Sequence, residues 1–500
     1  MVGRRGSPAT RRHRSARRAA IRGAGRGPAA NRCRGPQTGR SAATRLPRLV
    51  ERLRPARLFG PAAAAPRRAE DLACRRCGSG PDKLRRTACA ACGQACAYCE
   101  ACLTMGRSRE CELLVIGESP AVAATLPSYG GPAPQENELT RRWGLSLAQS
   151  DAAAQALLFL NTPRALRDNH AFLLWAVTGA GKTEMIFPLL DAVLARGGRA
   201  LVATPRKDVV LELEPRLAKA FPCYDRVVLY GGSANRWETG QLTLATTHQL
   251  LRFQDAFNLV LIDELDAFPY HNDPMLQYAA DKCRNRSGCT VYLSATPPLP
   301  LQRAVIKGKL PCARVPVRYH RHPLPVPRRL VIPAVDQMCG KQRLPEKLLN
   351  PLRNSIRRGA QIFVFVPYVK QVEPLVNLLK RHASQLNMDE ESIAGTSSKD
   401  LERTNKVISF RGQAIQLLVT TTILERGVTI PKSDVFILDA HNRLFDSASL
   451  VQMSGRAGRS AADPCGFVTF GAPAWTLPQR SSIRQIREMN KIAKREGYID

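Results

Sequence analysis

Five hundred residues exceed what a single hydrophobic core usually encloses, so two or three domains are expected. The hydrophobic share of 44% is that of a globular chain, and no run approaches the ~18 uninterrupted apolar residues of a membrane span. A membrane role would have to come through a partner, while the formal net charge of +34 favours a polyanionic one.

The charge is uneven from the first residue. Residues 1–68 hold 19 Arg and no Lys against one acid, Glu51. Residues 1–70 therefore read as a disordered Arg-rich segment that cannot bury a core. Three origins compete: a nucleic-acid-binding arm, an organellar presequence, and GC-rich sequence translated from a start placed too far upstream. The glycines and prolines of "GAGRGPAANRCRGPQTG" break the helix a presequence needs, and the misplaced start is favoured. A secretory signal is not expected, because "LFGPAAAAP" is short and bounded by proline.

Residues 71–115 form a cysteine module. Cys74, Cys77, Cys89, Cys92, Cys96, Cys99, Cys102 and Cys111 recur mostly as C-x-x-C, a spacing at which two thiolates converge on one tetrahedral zinc. Eight ligands allow two closed Zn²⁺ sites; iron–sulfur ligation competes, but the paired knuckles suit zinc better. The remaining cysteines are scattered, as in a reducing compartment. A Pro/Gly-rich linker is expected over 116–147.

Strand-length apolar runs then alternate with helical stretches, the pattern of a parallel sheet covered by helices. "AFLLWAV", "ALVAT", "RVVLYG", "LTLATT", "LVLID" and "TVYLSAT" give a first α/β lobe over 148–322. A basic, proline-rich hinge is placed at 323–345, and "QIFVFV", "QLLVTTT", "VFILDA" and "GFVTFG" give a second lobe over 346–500.

"AVTGAGKTE" follows the first strand and opens a helix, which makes a P-loop credible although Ala176 stands where the strict pattern has Gly. Thr178, Gly179, Ala180, Gly181, Lys182, Thr183 and Glu184 would hold ATP, with Lys182 on the β/γ-phosphates and Thr183 on Mg²⁺. "LIDELDAFPY" sets Asp263, Glu264 and Asp266 at the end of an apolar strand, where like charges need a cation beside them. Asp263 would ligate Mg²⁺ and Glu264 would polarise water, as NTPases arrange them. In "QMSGRAGR", Arg456 and Arg459 are expected three apart on one helical face, reaching the phosphates from the second lobe.

These motifs, with "ATPR", "TTHQL", "SAT" and "TTTILERGVT", resemble helicase superfamily 2. More narrowly, "VTGAGKTEM", "DELDAFPY", "TTILERGVT" and "AYCEACLTMGR" resemble the late-competence ComFA family over residues 74–500. The resemblance implies two RecA-like lobes behind a zinc module, and a DNA-stimulated ATPase that moves single-stranded DNA during natural transformation. It implies a cytoplasmic protein held at the inner face of the membrane through a DNA-uptake channel and other competence proteins, with homo-oligomers left open. It gives Gln149 the adenine, Ser294-Ala295-Thr296 the coupling of nucleotide to DNA, and Arg206, His248 and Thr421 contacts to the DNA backbone. It favours Cys74, Cys77, Cys99 and Cys102 as one zinc site and Cys89, Cys92, Cys96 and Cys111 as the other, with adjacent pairing still open.

Leu265 stands where the family mostly has Val, and the Arg-rich segment has no counterpart. A primosomal replication-restart helicase is the main alternative, but its cysteines usually interrupt the second lobe. An RNA helicase and a non-hydrolysing DNA-binding scaffold complete the rival readings.

Overall fold

The computed structural model describes residues 53–57, 59–61, 72–117, 136–426 and 430–499. The expectations for residues 1–52 and for 118–135 fall outside the described residues. The cysteine module is made of three antiparallel pairs. Strand β1 (Leu53–Arg57) pairs with β6 (Leu113–Gly117), β2 (Phe59–Pro61) with β3 (Leu72–Cys74), and β4 (Leu84–Ala88) with β5 (Ala95–Cys99). Strands β1 and β2 lie inside the segment expected to lack structure. Backbone pairing explains them: β6 and β3 offer unpaired N–H and C=O groups that another extended segment satisfies whatever its side chains are. A truncation beginning at residue 69 would remove both.

The first lobe carries a seven-stranded, all-parallel sheet. Its strands are β7 (Ala171–Ala176), β8 (Ala200–Thr204), β9 (Arg226–Leu229), β10 (Leu242–Thr246), β11 (Phe257–Asp263), β12 (Arg284–Ser294) and β13 (Cys312–Val315), in the spatial order β13-β7-β12-β11-β8-β10-β9. The central strands are buried on both faces, which is why they read as unbroken apolar runs. A helix over Glu136–Trp143 occupies the end of the expected linker. Trp143 anchors it, its ring centroid 5.3 Å from that of Phe187 and 5.6 Å from that of Phe221.

The second lobe carries six parallel strands: β14 (Arg328–Val331), β15 (Gln361–Phe365), β16 (Ile393–Thr396), β17 (Leu417–Thr420), β18 (Ser433–Leu438) and β19 (Val468–Ala472), in the order β14-β19-β18-β15-β17-β16. Much of the expected hinge belongs to this lobe. Strand β14 is its edge strand, where flanking prolines are tolerated. Val335 and Met338, on the helix Val335–Gly340, are buried in its core.

Two contacts tie the parts together. The C-terminal helix Leu477–Arg495 follows β19, yet Ile486, Met489 and Ile492 join the core of the first lobe. Gln485 Nε2 on that helix donates to Ala295 O at 3.1 Å. The cysteine module rests on the helix Pro274–Cys283: Lys282 Nζ donates to Arg76 O at 2.7 Å. Gly78, at φ 73°, lies so close to the Tyr278 ring that a Cβ there would be 2.5 Å from it.

Candidate active site and metal centres

The parallel sheet of lobe 1 gathers the P-loop, the acidic triplet and "SAT" on one edge, because β12 lies between β7 and β11 and all three strands point the same way. The C-terminal edge of a parallel sheet is where such folds place their ligands. The loop after β7 turns through Gly179 (φ 80°) and Gly181 (φ 73°), left-handed conformations that suit glycine. Helix Lys182–Leu194 begins at once, so its first N–H groups and its dipole face the loop's interior.

Gln149 braces this loop from behind. Its Oε1 accepts from Ser146 N at 2.8 Å and its Nε2 donates to Ala180 O at 2.7 Å. The side chain expected to read adenine is here bonded to the loop's own backbone, while still lining the cleft. Thr178 and Ala180 are buried, Lys182 and Thr183 are half-buried on the cleft wall, and Glu184 is engaged by Arg216.

The acids divide their work. Asp263 ends β11, and its Oδ1 accepts from Glu264 N at 2.9 Å. Burial raises its pKa to about 6 against the pull of Lys182, so a cation arriving beside it would be welcome. Glu264 has a left-handed backbone (φ 54°), uncommon outside glycine. Asp266 turns away from the P-loop: it accepts from Ser294 Oγ and Thr296 Oγ1, each at 2.6 Å, and from Arg426 Nη2 at 2.5 Å. Arg426 is on lobe 2, and its Nη1 lies 3.7 Å from Glu264 Oε2. Gln452 Nε2, also on lobe 2, donates to Thr296 Oγ1 at 3.0 Å. The cation beside the third acid is thus an arginine from the other lobe.

Nothing within the sequence pattern joins Asp266 to Arg426 or Gln452. The signal was present in the spare third acid and in the arginine of "LERGVT". The sequence could not say that the two meet, 160 residues apart.

Arg456 and Arg459 both line the cleft, opposite Lys182, Asp263 and Glu264, in a space of about 480 Å³. They do not share a helical face. The helix Ser447–Ser454 stops before them, and the two arginines occupy the following turn, in which Gly458 has φ 61°. Two glycines within five residues end the helix. Arg456 Nε donates to Glu425 O at 2.8 Å and Arg459 Nε to Gly455 O at 2.8 Å. Burial pushes the pKa of Arg459 down to about 10 and that of Arg456 well below its ordinary value. Burial thus sets two guanidinium groups on the cleft wall, with Glu264 acting on both, where a phosphate would be a favourable neighbour.

Arg206, His248 and Thr421 stand just beyond the C-terminal ends of β8, β10 and β17. Arg206 is paired with Asp208 at 2.6 Å, and Thr421 is 7% exposed.

The eight cysteines separate into two groups of four, Cys74/Cys77/Cys99/Cys102 and Cys89/Cys92/Cys96/Cys111, with the sulfurs of each group within 4.8 Å of one another. The pairing is interleaved, which decides against adjacent pairing. Sulfur separations of 3.9 Å (Cys74–Cys102), 3.5 Å (Cys77–Cys99) and 3.8 Å (Cys89–Cys111) are far too long for disulfides. They match the ~3.8 Å edge of a tetrahedron with ~2.3 Å metal–sulfur bonds. Arg76 Nη2 donates to Cys102 Sγ at 3.1 Å, the kind of outer contact that stabilises a thiolate ligand.

Three family models match the chain. The competence protein ComFA N-terminal domain covers residues 58–116, the res subunit of type III restriction enzymes 135–299, and the helicase conserved C-terminal domain 341–461. Competence protein ComFA of Bacillus subtilis is 36% identical over 408 residues, 81% of this chain and 82% of that protein. Competence protein ComFA of Streptococcus pneumoniae is 37% identical over 321 residues, 64% of this chain and 73% of that protein. ATP-dependent DNA helicase RecG of Helicobacter pylori is 26% identical over 292 residues, 56% and 44% of the two chains. Among solved structures, Mycobacterium smegmatis helicase Lhr bound to ssDNA and AMP-PNP gives a TM-score of 0.48 at 18% identity, covering 71% of this chain and 50% of that one.

Proposed function

Since this chain belongs to the ComFA family of competence proteins, we propose that it draws single-stranded DNA into a cell during natural transformation, driven by ATP. It is an ATP hydrolase of the helicase type. The observation that carries the proposal is the convergence of Lys182, Asp263 and Glu264 from one lobe with Arg456 and Arg459 from the other on a single cleft. Closure around ATP would bring the arginines onto the phosphates, and reopening after hydrolysis would move one lobe along the strand. Thr183 and Asp263 offer the hydroxyl and carboxylate that suit Mg²⁺, which supplies charge neutralisation to the phosphates. Arg206, His248 and Thr421 would contact the DNA backbone, since a translocase reads phosphate rather than sequence.

The deciding measurement is ATP hydrolysis by the full chain alone, with single-stranded DNA, and with RNA of equal length. Stimulation by DNA above RNA is expected. Equal or greater stimulation by RNA would sink the proposal, and so would a rate indifferent to either.

Each group of four cysteines would hold one Zn²⁺, whose binding energy becomes folding energy for a module with little apolar core. Two zinc ions per chain are expected by metal analysis; none, or an iron–sulfur absorption, would overturn this. We further propose that the protein works at the inner face of the cell membrane through a DNA-uptake channel and its fellow competence proteins. No helix among the described residues is long and apolar enough to cross a membrane. Membrane association that persists in cells lacking the channel would contradict that placement.

A further inference from the structure

Strand β13 ends at Val315, and the chain then runs beside the P-loop. Val177 N donates to Val315 O at 3.0 Å, and Tyr319 N lies 3.4 Å from Gly179 O. From this rail three consecutive side chains cross to lobe 2. Arg318 Nη1 donates to Ala457 O at 2.7 Å and to Gly458 O, and its Nη2 lies 3.4 Å from Gly455 O. The Tyr319 hydroxyl lies 3.4 Å from Arg459 O, and His320 Nε2 lies 3.2 Å from Gly458 O. All of these acceptors belong to the turn that carries Arg456 and Arg459.

Arg318 has no solvent exposure and is the largest fully buried side chain among the described residues. Burial and then the neighbouring Arg459 lower its pKa, and among the described residues no carboxylate opposes them. A buried cation without an anionic partner is costly and needs a compensating arrangement. Here the compensation comes from the carbonyls of Gly455, Ala457 and Gly458 in the turn after the helix Ser447–Ser454, which a planar fork of five donors can engage at once. The same guanidinium stem packs on the P-loop, 3.6 Å from where a Cβ on Gly179 would stand. One side chain therefore touches both the phosphate loop and the arginine turn.

We propose that Arg318, with Tyr319 and His320, is an interlobe latch that fixes the arginine turn against the P-loop, so that ATP turnover rather than ATP binding depends on it. The inference rests on the reading of this cleft as the site of hydrolysis. Arg318 is a positioning residue: it holds the backbone from which the two arginines project.

The test is steady-state ATP hydrolysis and fluorescent-ATP binding by the full chain. Arg318→Met keeps the stem and removes the fork; kcat should fall about 100-fold, the scale of a misplaced catalytic group, with nucleotide affinity within about threefold. Arg318→Lys should recover part of the loss, since it restores the charge without the fork. Should Arg318→Met fold poorly, the double variant Tyr319→Phe/His320→Ala alters only partly exposed residues, and its kcat should fall about tenfold, as for other misplaced groups. Wild-type kcat in either variant overturns the latch, and so does an affinity loss equal to the rate loss. Lys182→Ala separates the two readings. Turnover there sinks the cleft assignment, whereas an inactive Lys182→Ala beside a fully active Arg318→Met sinks the latch alone.

Discussion

In lobe 1 the charged groups of the cleft stand on strand ends and on the first turn of a helix; in lobe 2 they stand on a turn after a helix has ended. The lobe 1 groups are placed by local geometry. Once β11 and helix Lys182–Leu194 form, Asp263 and Lys182 have little freedom left. The lobe 2 groups are placed largely by contacts with the other lobe, through Asp266 to Arg426, Thr296 to Gln452, and Gly455 packed on Thr178. One wall is preorganised, and the other is completed by closure.

The largest expected difference between the walls is in turnover. Lys182→Ala should abolish both nucleotide binding and hydrolysis. Arg459→Ala should lower kcat about 1000-fold while leaving binding nearly intact, the mark of an arginine that acts on the transition state from a second lobe. Fluorescent-ATP titration beside phosphate release checks both, and loss of binding in Arg459→Ala would break the comparison. Glu264→Gln should behave like Arg459→Ala although it lies on the preorganised wall, because it removes a water-polarising group and not a binding one.

Next in size is the buried link between the walls. Asp266 and Arg426 are 3% and 4% exposed, so Asp266→Asn should cost about 3 kcal/mol by taking from the buried arginine its nearest anion, with Glu425 and Glu264 left at 3.5 and 3.7 Å. Burial by itself would raise the pKa of Asp266, but Arg426 and the Ser294 and Thr296 hydroxyls outweigh it and hold it at about 2, below the ordinary 3.8. The stability from this depressed pKa is present above pH 3.8 and is lost as pH falls toward 2. Thermal unfolding of wild type and Asp266→Asn should therefore converge over that interval; a constant gap would remove the ion pair from the account.

Gly455→Ala sharpens the contrast further. A methyl there would fall 2.0 Å from Thr178 Oγ1, so the lobes could not reach this closed arrangement without shifting. ATP binding should persist while kcat drops about 10-fold to 100-fold, the range of a displaced catalytic group. The smallest effect is expected behind the P-loop, where Gln149→Ala should cost about 1 kcal/mol, as loss of a helix cap does, and raise KM modestly.

Much of this molecule was legible because local chemistry writes it in short spans. Glycines flanking Lys182, an apolar strand before Asp263 and C-x-x-C knuckles each require only a few adjacent residues to state their purpose. The failures were equally local in origin. The arginines of "SGRAGR" were read as helical because their spacing allowed it, while Gly455 and Gly458 carried the opposite message. The segment around 328–331 was read as hinge because prolines surround it, although an edge strand accepts them. Gln149 does line the cleft, but that its amide also braces two backbone groups beside it was not legible from the sequence.

The sequence by itself determined that there would be two parallel sheets, a phosphate loop, an acidic strand end and a thiolate cluster, because each follows from side-chain periodicity or from residues within one turn of each other. Only the tertiary structure decided which cysteines share a centre, that Asp266 finds its cation on the other lobe, and that the last helix returns to pack on the first. Those choices join residues far apart in the chain, and they are settled by which surfaces can be buried together.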